Sequence, residues 1–229
     1  MNIPKHIIAH RGVFDNKSVP ENSLLAFQKA LDMDYNIELD VQLTKDSILV
    51  VFHDESLERM CHDSRLVQDC TYEELKKLRL LDTKEKIPTL KEVLDLVNDK
   101  VVLDVEIKNT KRIQDTCDFL MEALKPYQKY VLKSFVPKIV RYLKKNYPSV
   151  QVGYLIDWNY QNKWLRFFLP SRAMIAYSKA DFLAIHKKLL STSKFQSLKK
   201  KYPLFLWTIK KNDHYDSDEY ILICNDLME

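Results

Sequence analysis

Glycine is nearly absent from this 229-residue chain, which has two. A chain this poor in glycine keeps one where backbone turns sharply or approaches a ligand closely, because only glycine takes such conformations without a Cβ penalty. Long apolar runs are missing too: nothing approaches the ~18 residues of a membrane span. Met1 to His6 lack the charged-then-apolar pattern of a secretory leader, so the expected location is the cytoplasm. The four cysteines, Cys61, Cys70, Cys117 and Cys224, are scattered, which excludes a close-paired zinc site and leaves reduced thiols as the expectation. Charge of one sign is also lacking. With 36 basic against 32 acidic residues, the net charge of +4 is too mild to imply nucleic acid, and a local anion site is the better reading. No repeat, low-complexity tract or Pro/Gly/Ser linker interrupts residues 1–229, which read as one domain, and 46% hydrophobic content is ample for a full core.

What is present is alternation. Eight runs read as strands, at 7–10, 36–42, 101–107, 129–134, 150–156, 181–186, 204–209 and 220–224. Helical patterns fall at 23–33, 71–78, 90–97, 113–124, 137–146 and 192–201. Eight parallel strands with intervening helices predict the α/β class and a closed (β/α)8 TIM barrel. Only 210–219 separate the last two strands and only 225–229 follow the eighth, so the barrel is expected to be trimmed at its C-terminal end.

The chemistry concentrates at strand ends. Gly12 closes a His10-Arg11-Gly12 triplet after the first apolar run, which suggests an anionic ligand. In Asn36-Ile37-Glu38-Leu39-Asp40-Val41, strand alternation puts Glu38 and Asp40 on one face and the apolar residues on the other. The third strand repeats this, with Asp104, Glu106 and Lys108 inward. Too few residues separate the second strand from His53 for a crossover helix, so a hairpin is expected. A two-residue Asp46-Ser47 turn would set His53 opposite Asp40. Glu38, Asp40 and Glu106 are hard oxygen donors suited to Mg²⁺ or Ca²⁺. Arg11 and Lys108 are donors for phosphate oxygens. His10 and His53 suit proton transfer at the nucleophile and leaving oxygens, and metal-assisted phosphoester cleavage fits these parts best.

The chain resembles the glycerophosphodiester phosphodiesterase family. The resemblance rests on His10-Arg11-Gly12, Pro20-Glu21-Asn22-Ser23, Glu38-Leu39-Asp40-Val41, Thr44-Lys45-Asp46, Val50-Val51-Phe52-His53-Asp54 with Arg59, Ile87-Pro88-Thr89-Leu90, Glu106-Ile107-Lys108, Ser134-Phe135 and Trp207-Thr208, in the family's order. It implies a barrel that hydrolyses glycerophosphodiesters, as small-molecule substrates, to glycerol 3-phosphate and an alcohol with a divalent cation. It implies acid-base work for His10 and His53, metal binding by Glu38, Asp40 and Glu106, and substrate contacts from Arg11, Lys108 and Trp207. Either water or the glycerol 2-hydroxyl would serve as the first attacker.

The first half matches the family pattern closely and the second loosely; departures fall at Asp34-Tyr35-Asn36, at Ile209-Lys210 and in the final strand, while every candidate ligand and both histidines are kept. Two rivals stand: a related phosphodiesterase cleaving lysophospholipids or phosphoinositides, which the aromatic segment at 158–169 alone supports, and an inactive barrel retained for binding, which the loose second half suggests. Against the second, unneeded interior carboxylates destabilise a fold and would be lost first. Residues 158–169 are rich in aromatic and basic side chains and follow the fifth strand. They read either as a lid or weak membrane-surface patch, or as a helix packing its aromatics on the barrel, the second being the expectation. The remaining histidines, His6, His62, His186 and His214, read as structural, and the lysine runs at 144–145 and 199–201 as solvated helix ends.

Overall fold

The computed structural model describes residues 7–159, 164 and 168–228. Among these residues are nine strands: β1 (Ile7–Ala9), β2 (Asn36–Leu43), β3 (Leu49–Val51), β4 (Leu103–Ile107), β5 (Tyr130–Ser134), β6 (Val152–Ile156), β7 (Phe182–His186), β8 (Leu204–Ile209) and β9 (Ile221–Cys224). Eight of them run parallel in the order β1-β2-β4-β5-β6-β7-β8-β9, and β9 pairs back onto β1, which closes the predicted barrel. Closure removes every free edge except that carrying β3, which lies antiparallel on β2.

Helices cover the outside: α1 (Leu24–Asp32), α2 (Glu58–Cys61), α3 (Tyr72–Leu75), α4 (Leu90–Val97), α5 (Ile113–Leu124), α6 (Pro137–Asn146), α7 (Arg172–Ser178) and α8 (Ser193–Leu198). Their ends follow local chemistry. Ser23 caps α1 by accepting from the Ala26 amide, Thr89 and Glu92 form a reciprocal capping box on α4, and Pro137 opens α6. Among the described residues no helix lies between β8 and β9 or after β9, as the short spans predict. Among the described residues no helix is long and apolar enough to cross a membrane.

Both faces of β2 are buried along all eight residues, as a barrel strand requires. Ile37, Leu39, Val41, Leu103, Val105 and Ile107 pack outward under the helices. Ile8, Val102, Val131, Leu155, Phe182, Ala184, Phe205 and Ile223 form a separate apolar cluster inside the barrel. A third cluster, including Phe52, Leu57, Met60, Val67 and Leu75, underlies the hairpin and the short helices α2 and α3. All four cysteines are free.

Two sequence expectations need correction. The hairpin pairs Val41 with Val51, Gln42 with Val50 and Leu43 with Leu49, one residue off the expected register. The loop is Lys45-Asp46-Ser47, closed by the Thr44 amide donating to Ile48 O at 3.0 Å, and Ser47 takes the left-handed conformation (φ 68°). A three-residue loop of that kind needs one left-handed residue and replaces the two-residue turn. Phe52, not His53, therefore lies opposite Asp40. Gly12 is required for a different reason from ligand approach. Its φ is +83° and an added Cβ would sit 2.8 Å from the Ala26 backbone, so it lets the β1–α1 loop pack on the helix start.

Candidate active site

The carboxylates lie along β2, at Glu38 and Asp40, and along β4, at Asp104 and Glu106. Register pairs Glu38 with Asp104 and Asp40 with Glu106, so alternation brings all four inward as two stacked pairs. Glu38, Asp40 and Glu106 are buried, and each offers an oxygen within 4.8 Å of the others. That donor set fits a hard divalent cation. The chain's own cations neutralise it. Lys108 Nζ lies 2.7 Å from Glu106 and 3.3 Å from Asp40, Arg11 Nε lies 3.4 Å from Asp40, and Lys133 Nζ lies 3.1 Å from Glu38. Burial would raise the Asp40 carboxyl, but Lys108, His53 and Arg11 outweigh it and hold it well below the carboxylate range. Burial dominates at Asp104, which is pushed up to about 6 despite the Lys133 ammonium.

Each residue of the Pro20-Glu21-Asn22-Ser23 stretch has its own task. Asn22 donates to Asp40 Oδ2 at 2.9 Å, Ser23 caps α1, and Glu21 accepts from Arg11 at 2.8 Å and from Arg59 at 2.7 Å. Burial would raise Glu21, yet the hydrogen bonds from Arg59 and the charge of Arg11 hold it at about 2.

The two imidazoles are oriented differently. His10 Nδ1 is 2.7 Å from the amide oxygen of Asn225, which accepts, so Nδ1 carries the proton and Nε2 turns towards Glu38, 4.0 Å away. Burial, with Arg11 second, lowers His10 to about 3 and keeps it neutral. His53 reaches the site from the loop beyond β3. The Gln42 side chain, pointing inward like Glu38 and Asp40, donates to Phe52 O and Asp54 O on either side of it, at 2.8 and 2.7 Å. His53 Nδ1 lies 2.5 Å from Asp54 Oδ1, and Arg59 holds Asp54 at 2.6 Å. A chain of ion pairs thus runs from Arg11 through Glu21, Arg59 and Asp54 to His53.

Six of the sequence candidates, His10, Arg11, Glu38, His53, Glu106 and Trp207, line one cavity, while Asp40 and Lys108 bond to its wall from behind. Trp207 stands at the end of β8, edge-on to Phe135 and His186, with its Nε1 buried and unpartnered among the described residues. Sequence reading missed Lys133, which lines the same cavity, together with the supporting Asn22, Gln42, Asp54 and Asn225. Lys133 had a signal: alternation from Val131 turns it inward. Most of the aromatic segment, residues 160–163 and 165–167, lies outside the described residues. Of its described aromatics, Trp164 and Phe168 are exposed, at 82% and 53%, while Trp158 lies against His186 with ring centroids 5.9 Å apart.

A closed parallel barrel with acids, imidazoles and cations at its C-terminal rim defines a (β/α)8 enzyme that works on an anion. The glycerophosphoryl diester phosphodiesterase family pattern matches residues 10–227, and the chain belongs to that family. It is similar to a glycerophosphodiester phosphodiesterase of Caldanaerobacter subterraneus, 36% identical over 220 residues, covering 90% of this chain and 86% of the relative. Among solved structures, a glycerophosphodiester phosphodiesterase from Parabacteroides distasonis aligns with TM-score 0.76 and 25% identity over 96% of this chain and 92% of its own. An Oleispira antarctica phosphodiesterase, solved with the product sn-glycerol-3-phosphate, shares the fold with TM-score 0.78 and 23% identity over the same shares.

Proposed function

We propose that the protein hydrolyses glycerophosphodiesters to glycerol 3-phosphate and an alcohol, with His10 and His53 as the acid-base pair. The observation that carries this is the convergence of two imidazoles, each anchored through Nδ1, on one cavity lined by Glu38, Glu106 and Arg11, with Asp40 close behind its wall. Family membership and the product bound to the Oleispira antarctica phosphodiesterase support the substrate class.

His10, neutral and with a free Nε2, takes the proton from the attacking hydroxyl. His53, oriented by the Asp54 carboxylate against its Nδ1, gives a proton to the departing alkoxide. Arg11, fixed by Glu21, neutralises the phosphate oxygens, and Lys108 adds its charge from behind the wall through Asp40 and Glu106. Trp207 and Phe135 supply an apolar wall for the glycerol or alcohol carbon atoms. Glu38, Asp40 and Glu106 would hold Mg²⁺ or Ca²⁺, which supplies Lewis-acid neutralisation of the phosphoryl group when bound.

The test is glycerol 3-phosphate release from glycerophosphocholine and glycerophosphoethanolamine, in EDTA and then with Mg²⁺, Ca²⁺ or Mn²⁺ restored. Release that stops in EDTA and returns with a cation is expected. Release that is indifferent to EDTA would remove the cation from the reaction, and no release with any cation would overturn the substrate class.

A further inference from the structure

Lys133 has no task in that chemistry, yet it is the most deeply placed cation of the cavity wall, with its side chain 1% exposed. A buried ammonium is strongly destabilising unless it is paired. Its partners come from the two neighbouring carboxylate strands. Lys133 Nζ lies 2.5 Å from Asp104 Oδ2, one layer below, and 3.1 Å from Glu38 Oε1, in the candidate cation set. Asp104 is fully buried, and among the described residues its other oxygen has no hydrogen-bond partner and its one side-chain bond is to Lys133. The ammonium is thus anchored from below and extended to a carboxylate that a cation would claim. Glu38 Oε2 accepts from the Arg11 amide at 3.0 Å, so both Glu38 oxygens are engaged.

We propose that Lys133, anchored on Asp104, is a resident counter-ion that holds Glu38 when the carboxylate set carries no divalent cation, and that an incoming cation competes with this ammonium. The inference rests on the cation-binding part of the function proposed above. It gives the site a charge logic. Glu38, Asp40, Asp104 and Glu106 against Arg11, Lys108 and Lys133 leave one negative charge. A divalent cation turns this to one positive, and a monoanionic phosphodiester brings it to zero. Without Lys133 the neutral state would be reached by the cation alone, and the site would lose its net attraction for the substrate. With it, the carboxylates stay assembled before a cation arrives, and the loaded site still attracts an anion.

The experiment is calorimetric titration of Mn²⁺ alone into the wild type and the double variant Asp104→Asn/Lys133→Met, with thermal melts with and without Mn²⁺. The double variant removes a neutral pair, so no buried charge is stranded and the site's net charge is unchanged. What it isolates is competition for Glu38. The variant is expected to bind Mn²⁺ about tenfold tighter and to gain more in Tm on Mn²⁺ addition than the wild type. Lys133→Gln, which keeps a hydrogen-bond donor for Asp104, is expected to move affinity in the same direction and serves if the double variant does not fold. Equal or weaker Mn²⁺ affinity in either folded variant overturns the proposal while leaving the cation site standing. A wild type that takes up no Mn²⁺ overturns the cation reading itself, and this inference with it.

Discussion

The arc of the barrel from β1 to β5 and the arc from β6 to β9 are built on opposite principles. In the first, interior positions carry, beside the apolar Ile8, Val102 and Val131, the polar His10, Glu38, Asp40, Asp104, Glu106, Lys108 and Lys133, held by ion pairs and hydrogen bonds. In the second they carry Leu155, Phe182, Ala184, Phe205 and Ile223, held by shape, with the Phe182 and Phe205 rings stacked at 4.2 Å. One arc is specified by charge and tolerates changes of volume poorly only where a charge is lost; the other is specified by volume. The difference teaches where function and stability separate: a residue of the polar arc can be removed at a cost to turnover, a residue of the apolar arc at a cost to folding.

The largest effects should break this contrast if it is wrong. His10→Ala and His53→Ala are each expected to lower kcat by about 10²–10⁴-fold with Tm almost unchanged, as followed by glycerol 3-phosphate release and thermal melts. Near-normal turnover in either variant removes that histidine from the mechanism. On the apolar arc the counterpart is Gly153→Ala. An added Cβ would sit 2.1 Å from the Phe182 ring, wedged inside a full barrel. Overpacking of this kind costs about 1–3 kcal/mol, so Tm should fall while kcat measured well below the new Tm holds. A variant that melts like the wild type would show that the apolar arc has slack.

The same contrast explains what is legible in the sequence. Glu38, Asp40 and Glu106 stand out because charged residues at alternating positions in otherwise apolar strands point into the barrel, where they need partners. The inward residues of β6 to β8 do not stand out, because their outward neighbours are equally apolar and a strand buried on both faces has no visible period. Lys133 obeys the same alternation as Glu106, its β-sheet neighbour, but a single lysine in a strand reads as a solvent-facing residue. The hairpin register turned on whether Ser47 adopts a left-handed conformation, a choice serine makes seldom, and the misplacement did not move His53 out of the site because Gln42 sets its loop from the neighbouring strand. The link from Glu21 to Arg59 spans too many residues for any local pattern to reveal it.

Glu21 gives a smaller effect that sharpens the account of the polar arc. Its carboxyl is held at about 2 against an ordinary 4.5, burial raising it and the Arg59 and Arg11 partners outweighing burial. A folded value below the unfolded one means that the stabilisation is fully present above about pH 4.5 and is lost as pH falls towards 2. Glu21→Gln keeps the shape and removes the charge. It is expected to lose about 2 kcal/mol at near-neutral pH and to show a shallower decline of Tm below pH 4.5 than the wild type. Thermal melts across that range check it, and parallel declines in the two proteins would show that Glu21 does not set the acid limb.

Trp207 tests the seam between the two arcs with the smallest change. It belongs to the apolar arc by position and faces the charged cavity by exposure. Its Nε1–H is buried without a partner among the described residues, a state that costs free energy unless something arrives to accept the bond. Trp207→Phe keeps a ring against Phe135 and His186 and deletes the donor. If that donor only fills space, the variant should be at least as stable as the wild type and its KM unchanged. If a substrate oxygen completes the bond, KM should rise severalfold, about 1 kcal/mol, with Tm held or raised and kcat little altered. A rise in KM without a fall in Tm is the outcome expected here, because an orphaned donor inside an anion site is worth keeping only for what binds there.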